Sequence, residues 1–351
     1  MSEPITIALD AMGGDHAPDM VVRGANLARS RFPDAHFVLF GDEAKVQPLL
    51  ARLPKLAKVC TIVHTDQVVG GEDKPSVALR TGRQSSMRLA INAVHDGKAA
   101  AVVSAGNTGA LMAMAKFVLK TLPGISRPAI ASFFPTMRGE SVMLDLGANV
   151  QCDAENLVQF AVMGEVFART VLGTVKPTIG LLNVGSEDMK GHEALREANG
   201  VLREIKLPGT YHGFIEGDDI AKGTVDVVVA DGFTGNVALK TIEGTARLYS
   251  EFLRATFKSS LLAKIGYLMA RPALNALKLR TDPRRYNGAI FLGLNGITVK
   301  SHGGTDAIGF ANAIGVAVDM ILHGATEKIR EDFATLALTQ APAGAQVANV
   351  G

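Results

Sequence analysis

The chain has 351 residues, which is long enough to bury a large core in one domain or in two lobes. Its composition, 47% hydrophobic and 20% charged with no tryptophan, is ordinary for a globular protein. The net charge is only +2, so we expect no binding of nucleic acid through the charge of the whole molecule.

Cysteine usage and the lack of long apolar runs indicate a cytoplasmic location. Cys60 and Cys152 lie outside any C-x-x-C motif and form no disulfide framework, which favours a reducing compartment. The first predicted strand begins at Ile5 without the basic and apolar regions of a signal peptide. The longest apolar stretch, residues 309–322, is interrupted by Asn312 and Asp319 and is too short to span a membrane.

Short apolar runs predict strands along the whole chain. They cover residues 5–9, 36–40, 59–63, 99–104, 130–134, 141–146, 178–183, 211–215, 225–230, 290–292 and 297–300. Helices are predicted between them, from the Pro18 turn to 31, over 43–50, 85–94 and 153–170, from the 183–191 loop to 204, after the turns at 105–109 and 231–235, and over 307–333.

Continuous apolar strands that alternate with helices predict a mainly parallel sheet covered by helices on both faces. Ligands of such sheets bind past the carboxyl ends of the strands, so we expect the strand-end loops to line one edge. We expect residues 1–338 to form one large α/β domain, in one or two lobes with the central strands in the second. Residues 339–351 are rich in alanine and predict a loose tail.

Two strand–turn–helix units repeat the same arrangement. The turn at 105–109 (AGNTG) and the turn at 231–235 (DGFTG) each follow a predicted strand and open a helix, with Lys116 and Lys240 further along those helices. Glycine allows close approach of backbone to a ligand, and the first amides of a helix have no internal partner, so such a turn can bind an anion. The simpler interpretation is that the glycines permit tight strand-to-helix packing; the repetition favours a function.

Four polar strand-end residues have two interpretations each. His16 and His302 each follow a strand end close to glycines, and each either contacts a ligand or bonds to the loop backbone. Lys190 is either a phosphate-binding cation or a surface lysine, and Asp231 either orients a ligand or caps its turn. Cys152 has no histidine partner in its loop, so we interpret it as structural.

Common catalytic motifs are absent from the sequence. There is no G-x-G-x-x-G, G-x-x-x-x-G-K-[ST], H-E-x-x-H or G-x-S-x-G, and the eight histidines show no metal spacing. This argues against a P-loop nucleotide triphosphatase, a zinc hydrolase and a serine hydrolase, and we expect no cofactor.

Residues 245–285 form a basic amphipathic segment. Nine Lys or Arg and two Asp or Glu lie between Thr245 and Tyr286. We expect Pro272 to divide the segment into two helices, a helical insertion in the domain. Its basic residues predict contact with an anionic membrane surface or an acidic protein; a pair of dimer-interface helices with a solvated basic face is equally open. The residues concerned are Arg254, Lys258, Lys264 and Arg271.

Six motifs spread from Leu9 to Ile314 together resemble the PlsX family, the acyl-ACP:phosphate acyltransferases. They are ALDAMGGDHAP, VVSAGNTGALMA, MLDLGAN, LLNVGSEDMKG, VVADGFTGNVALK and KSHGGTDAIGFANAI. The resemblance implies transfer of a fatty acyl group from acyl carrier protein to inorganic phosphate. The acyl phosphate would feed a downstream glycerol-3-phosphate acyltransferase in phospholipid synthesis.

The resemblance also implies a homodimer and peripheral association with the inner face of the cell membrane. It implies a fold similar to isocitrate and isopropylmalate dehydrogenases and to phosphotransacetylases.

The implied chemistry fits a site built from backbone amides. Phosphate is already an anion, and a thiolate with a free-thiol pKa of about 8.5 is a good leaving group. Neither a side-chain nucleophile nor a metal is required. Positioning can supply roughly 7–11 kcal/mol, and one oxyanion donor about 3–4 kcal/mol.

We therefore expect the amides of residues 106–109 and 232–235 to bind phosphate or the oxyanion. Asn107 and Asn236 would donate side-chain hydrogen bonds, and Lys190 would neutralise phosphate. His16 or His302 would assist proton movement near the sulfur. Further residues expected to contact substrate are Gly13, Gly14, Asp15, Gly106, Thr108, Gly109, Ser186, Asp231, Gly232, Thr234, Gly235, Gly303 and Gly304.

Two alternatives remain open from the residues alone. A decarboxylating 2-hydroxy-acid dehydrogenase would need a nicotinamide site and a carboxylate metal cluster, for which Asp10, Asp145 and Asp231 are dispersed in sequence. Stabilisation by NAD or a divalent metal would favour it, and stabilisation by phosphate would favour acyl transfer. A non-catalytic membrane-associated scaffold would have no need of so many polar strand-end loops.

Overall fold

A computed structural model of the chain describes residues 5–340, and within them eleven strands form one sheet. The strands run in the order β3-β2-β1-β4-β11-β10-β5-β6-β9-β7-β8. Their bounds are β1 Thr6–Asp10, β2 His36–Gly41, β3 Cys60–His64, β4 Ala101–Ser104, β5 Ala129–Pro135, β6 Glu140–Leu144, β7 Thr178–Leu182, β8 Thr210–Ile215, β9 Val227–Val229, β10 Ala289–Leu292 and β11 Ile297–Lys300. Each apolar run predicted as a strand is confirmed.

Helices connect these strands. They are α1 Asp19–Arg31, α2 Glu43–Ala51, α3 Pro54–Ala57, α4 Pro75–Thr81, α5 Ser86–His95, α6 Thr108–Leu119, α7 Ala154–Val171, α8 Glu193–Glu204, α9 Gly217–Lys222, α10 Gly232–Lys258, α11 Leu261–Arg280, α12 Ala307–Leu322 and α13 Ala325–Gln340, with a 3₁₀ turn at Pro283–Tyr286. The short helices α3, α4 and α9 had no clear periodic signal in the sequence.

Helices cover both faces of the sheet, as predicted. One face packs against α1, α7 and α12 through buried residues such as Phe160 and Phe310. The other packs against α5 and α6 through Met87 and Leu111, and the beginning of α10 joins it through Leu239. Burial of apolar side chains on both faces is the main stabilising contribution.

Strand direction divides the sheet into two halves. Parallel pairs link β3, β2, β1, β4 and β11, and parallel pairs also link β6, β9, β7 and β8. Between these groups, β11–β10, β10–β5 and β5–β6 are antiparallel. The two groups therefore point in opposite directions, and their carboxyl ends lie on different edges.

The prediction of a single polar edge is thus wrong. The physical reason is the hairpin between β5 and β6, which reverses the chain between Pro135 and Glu140. The two strands and a turn between them were predicted from sequence, but the effect of this reversal on the direction of the later strands was not.

Two predicted helix boundaries also differ. Pro272 lies inside α11, and the break falls at Ser259 and Ser260, where the Ser260 hydroxyl accepts from the Ala263 amide at 3.1 Å. A capping serine supplies a stronger boundary here than the proline, which sits in a helix without buried residues. The predicted final helix over 307–333 is two helices, separated at Gly324 with φ of 59°.

Among residues 5–340, no single helix combines the length and apolarity needed to cross a membrane. Taken together, the helices Ala307–Leu322 and Ala325–Leu336 have the required length and apolarity, but the chain bends by 50° at the break between them. The predicted tail from residue 341 onward lies outside the described residues.

Candidate functional site

The loops after β1, β4 and β11 meet at one edge of the sheet, here named the first edge. A Cβ on Gly13 would lie 2.7 Å from the Gly106 amide nitrogen, so only glycine allows this approach. The Asp15 amide donates to the Gly303 carbonyl at 2.9 Å. Three of the predicted strand-end loops are therefore brought together.

Unsatisfied backbone amides begin α6 at the first edge. Within the described residues, the amides of Asn107, Thr108 and Gly109 have no acceptor, whereas Gly106 donates to the Ser104 hydroxyl at 3.1 Å. Such groups at a helix N-terminus carry partial positive charge and favour an anion.

The Asn107 side chain is engaged within the protein. Its oxygen accepts from the Ala110 amide at 3.0 Å and so caps α6. Its Nδ2 donates to the carbonyls of Gly71 at 2.8 Å and Asp73 at 3.0 Å, with a longer contact to Gly70 at 3.4 Å. The residue therefore ties the 70–73 loop to the turn that carries the free amides.

A buried carboxylate lies beneath this turn. Asp10 accepts hydrogen bonds from the hydroxyls of Ser86 and Ser104, both at 2.6 Å, and from the Met12 amide at 3.3 Å. Burial raises the pKa of Asp10, and these hydrogen bonds oppose the rise.

Lys300 lies next to this carboxylate at the end of β11 and was not among the predicted site residues. Its side chain is on the same sheet face as Ser104, because β11 and β4 pair Lys300 with Ser104. The residue is only 9% exposed, and its ammonium donates to the Ala105 carbonyl at 3.4 Å and to the Ser301 carbonyl. Burial lowers the pKa of Lys300 to about 8, although Asp10 and Asp15 favour the charged form.

The two predicted histidines differ in their contacts. His302 is anchored, since its Nδ1 accepts from the Gly304 amide at 3.2 Å and its amide donates to Asn287 at 2.8 Å. Partial burial, followed by the charge of Lys300, lowers the pKa of His302, so its ring is neutral at pH 7. His16 is exposed, and its carbonyl accepts from Met20 at the start of α1.

The loops after β6, β9 and β7 form the second edge. Asp145, fully buried, accepts from the amides of Ile130 at 2.9 Å, Ala148 at 3.0 Å and Asn149 at 2.7 Å. A Cβ on Gly235 would lie 2.0 Å from the Asp145 carbonyl oxygen. Tight packing therefore accounts for this glycine, as the simpler interpretation of the turn had it.

The second turn has fewer free amides than the first. Gly232 donates to the Asn149 carbonyl at 2.7 Å, and the amides of Thr234 and Gly235 donate to Asp231, whose side chain caps α10. Asn236, by contrast, is exposed beside Gly147, and the amide group of its side chain has no hydrogen-bond partner within the described residues. Its side chain is free to bind a ligand.

Lys190 and Ser186 are exposed on the loop between β7 and α8. The Asn183 side chain donates to the Lys190 carbonyl at 3.2 Å and thereby holds this loop closed. Within the described part of the chain, the Lys190 ammonium forms no ion pair.

Helix α10 connects the two edges. It begins at the second edge with Asn236 as its fifth residue, and further along Lys240, Glu243 and Arg247 lie close enough to His302 to affect its pKa. The predicted site residues thus form two groups, and α10 spans the space between them.

Lys300 and Arg247 are charged residues at these edges that the sequence interpretation passed over, and Lys240 was noted only as a lysine in the helix after the second turn. A lysine that ends an otherwise apolar strand, as in ITVK at 297–300, is a signal that could have indicated Lys300. No local signal relates α10 to His302, because they lie far apart in sequence.

Cys152 and the three dispersed aspartates have structural surroundings. The Cys152 thiol approaches the Asn149 carbonyl at 3.6 Å, and burial raises its pKa to about 12, so little thiolate forms at neutral pH. Asp10 lies at the first edge, whereas Asp145 and Asp231 lie at the second. Among residues 5–340, no group of three or more His, Cys, Asp or Glu has an arrangement able to hold a metal ion.

The basic residues of α10 and α11 are exposed, and so are their apolar neighbours. Arg254 pairs with Glu251 at 2.6 Å, and no residue of α11 is buried. The exposed apolar residues are Leu248, Tyr249, Phe252, Leu253, Leu261, Leu262, Ile265, Tyr267, Leu268, Met269, Leu277 and Leu279. This is an unusual apolar surface for a helix pair surrounded by water.

Comparison with known proteins identifies relatives over nearly the whole chain. The family model described as "Fatty acid synthesis protein" matches residues 5–328. A phosphate acyltransferase of Rhodospirillum centenum is 70% identical over 336 residues, covering 96% of this chain and 95% of that protein. One of Paramagnetospirillum magneticum is 64% identical over 333 residues, with 95% of each chain covered.

Two solved phosphotransacetylase structures have a similar fold. That of Streptococcus pyogenes aligns with a TM-score of 0.60 at 16% identity, covering 92% of this chain and 95% of that one. The EutD phosphotransacetylase of Staphylococcus aureus aligns with a TM-score of 0.57 at 17% identity, covering 92% and 94%. The predicted similarity to the phosphotransacetylase fold is confirmed.

Proposed function

This chain belongs to the PlsX family of phosphate acyltransferases of fatty acid and phospholipid synthesis, and from that premise we propose that it acylates inorganic phosphate from an acyl carrier protein thioester. A phosphate oxygen attacks the thioester carbonyl, the carbon–sulfur bond breaks, and the proton of hydrogen phosphate ends on the sulfur. The products are acyl phosphate and the free thiol of the carrier. Acyl phosphate then serves a downstream glycerol-3-phosphate acyltransferase.

The observation that carries this proposal is the row of free amides at Asn107, Thr108 and Gly109. They are preorganised donors that need no rearrangement when negative charge develops. In this proposal they bind phosphate or the tetrahedral oxyanion, and Gly13, Gly14, Asp15, Gly303 and Gly304 line the same cleft. Asn107 acts as a positioning residue, since its side chain is occupied by the 70–73 loop.

Residues of the second edge complete the proposed site, because α10 begins at the second edge and runs towards His302 at the first. The free side-chain amide of Asn236 donates to the oxyanion or to phosphate. On the neighbouring loop, Lys190 neutralises phosphate and Ser186 contacts the substrate. Neutral His302 accepts the proton released by phosphate and passes it towards the leaving sulfur, with His16 as the second candidate. The division of the sheet by strand direction supports two lobes with a cleft between them.

The exposed helices α10 and α11 form a basic helical hairpin in this proposal. Arg254, Lys258, Lys264 and Arg271 contact the anionic inner face of the cell membrane or the acidic carrier protein. The apolar side chains beside them support peripheral association. A homodimer is part of the same proposal.

The direct test is acyl-phosphate formation from acyl carrier protein thioester, with and without inorganic phosphate. We expect a phosphate-dependent product. Release of free fatty acid or no turnover in the presence of phosphate would reject the function.

Variants at the two edges test the site. We expect Asn236→Ala to lower kcat by about 10²–10³-fold, the effect of removing an oxyanion donor. We expect Lys190→Ala to raise the phosphate KM about tenfold, equivalent to the loss of ~1.4 kcal/mol of binding. Full activity in both variants and in Asn107→Ala, with each folded, would refute the assignment.

A further inference from the structure

Lys300 is a buried cation without a direct counter-ion. Its ammonium contacts two carbonyl oxygens, those of Ala105 and Ser301, and within the described residues no carboxylate pairs with it at 4.0 Å or less. Buried charges in proteins are normally paired or bind an ion of opposite sign. An ammonium also has three N–H groups, so one remains after the two carbonyls.

The neighbouring carboxylates do not neutralise this charge. Asp10 is occupied by Ser86, Ser104 and the Met12 amide, and burial disfavours its ionised form. Asp15 acts only at longer range and is exposed at the surface. Both carboxylates favour the charged form of Lys300, but the opposing effect of burial is larger and lowers the pKa of this lysine.

The surroundings of Lys300 suit an anion. The Ala105 carbonyl that it contacts lies at the start of the turn before α6. The free amides of Asn107, Thr108 and Gly109 follow in the same turn. On the other side, the Ser301 carbonyl precedes the Gly303–Gly304 turn, where a Cβ on Gly303 would lie 3.5 Å from the Ala105 carbonyl oxygen. The Lys300 ammonium therefore contacts the same turn that carries the free amides of α6.

We propose that Lys300 is the first-edge cation that binds inorganic phosphate, with its remaining N–H directed to a phosphate oxygen beside the α6 amides. This deepens the proposed function and rests on it. Lys300 supplies the charge, the amides of α6 supply directed hydrogen bonds, and Lys190 contributes from the other edge.

Lys300→Met tests the proposal, with Lys98→Met as the matched control. Lys98 is exposed and precedes β4, at the opposite end of that strand. We expect Lys300→Met to raise the phosphate KM by at least about tenfold and to abolish the increase in Tm that inorganic phosphate causes in the unaltered protein. The carrier-thioester KM and every property of the control should stay within about twofold.

The unaltered protein separates failure of this inference from failure of the proposed function. If it makes no acyl phosphate, the function fails, while the Tm shift by inorganic phosphate still tests Lys300. If it is active and Lys300→Met keeps both the phosphate KM and the Tm shift, Lys300 is not the phosphate cation. A raised carrier KM with unchanged phosphate KM would overturn the proposal equally.

The pH dependence supplies a second test that a purely structural lysine would not affect. Phosphate affinity should fall between about pH 7.5 and about 9 as Lys300 loses its proton, whereas Lys300→Arg stays charged throughout. Asp10, Asp15 and His302 also face this position but are the same in both proteins, so the difference reports residue 300. An equal decline in the two proteins would overturn the proposal, and this comparison decides it if the methionine variant does not fold.

Discussion

At the residue scale, Asn107 and Asn236 show how one residue type takes different roles in similar turns. Asn107 precedes the Thr-Gly of its turn and becomes the N-cap of α6, so its side chain bonds to the protein itself. Asn236 follows the Thr-Gly of the second turn, where Asp231 already provides the cap. Its amide is consequently free for a ligand.

Substitutions at these two asparagines should separate stability from activity. Asn107→Ala loses a cap and the bonds to the 70–73 loop, and we expect the free energy of unfolding to fall by about 1–3 kcal/mol. Asn107→Asp keeps the acceptor for Ala110 but loses the donors to the loop, so it should retain the cap and still release the loop. Urea denaturation measures the first effect, and proteolysis near Glu72 measures the second.

Asn236→Ala is the control, because its exposed side chain contributes little to folding; we expect a change within about 0.5 kcal/mol. Equal loss of stability in Asn107→Ala and Asn236→Ala would contradict this interpretation.

At the element scale, the junction between β6 and α10 depends on close backbone contact. The Gly232 amide bonds to the Asn149 carbonyl, and Gly235 lies against the Asp145 carbonyl. This contact fixes where α10 begins and directs the helix towards His302. The glycines of the second turn thus act on the site through the placement of a helix.

Gly235→Ala tests this junction. The added Cβ would lie 2.0 Å from backbone, which cannot be relieved by a side-chain rotation. We expect a loss of about 2 kcal/mol or more in the free energy of unfolding. Gly200→Ala is the matched control within α8, since nothing lies within 4 Å of its Cβ position. It should stabilise the protein by about 0.5–1 kcal/mol.

Urea denaturation of both glycine variants provides the measurement. A neutral Gly235→Ala would show that β6 and α10 separate easily, and the proposed link between the two edges would lose its support.

At the scale of the whole molecule, charge is unevenly distributed. The net charge is +2, yet residues 245–286 alone carry nine Lys or Arg and two Asp or Glu. These residues lie in or directly after the exposed helices α10 and α11, together with many exposed apolar side chains. Positive charge beside apolar surface is typical of contact with an anionic lipid surface.

Reversal of Arg254, Lys258 and Lys264 to Glu tests this surface. We expect weaker binding to vesicles that contain anionic lipid, weaker affinity for acyl carrier protein, or both, with larger differences at low salt. Vesicle flotation and carrier titration measure the two effects.

The matched control is reversal of Arg52, Lys55 and Lys58, which are exposed around α3 and change the net charge equally. Unchanged vesicle binding and carrier affinity in the first variant, or equal losses in both variants, would reject a specific role for this surface.

The sequence by itself determined the strands, both glycine turns, the basic segment and the family, because these depend on residues that are neighbours in the chain. Only the tertiary structure decided that β6, β9 and β7 run opposite to β1, β4 and β11. It also decided that Asn107 is occupied by the 70–73 loop and that Lys300 is buried beside Asp10. Pairing between distant strands sets burial, direction and hydrogen-bond partners, and no local pattern of residues encodes them.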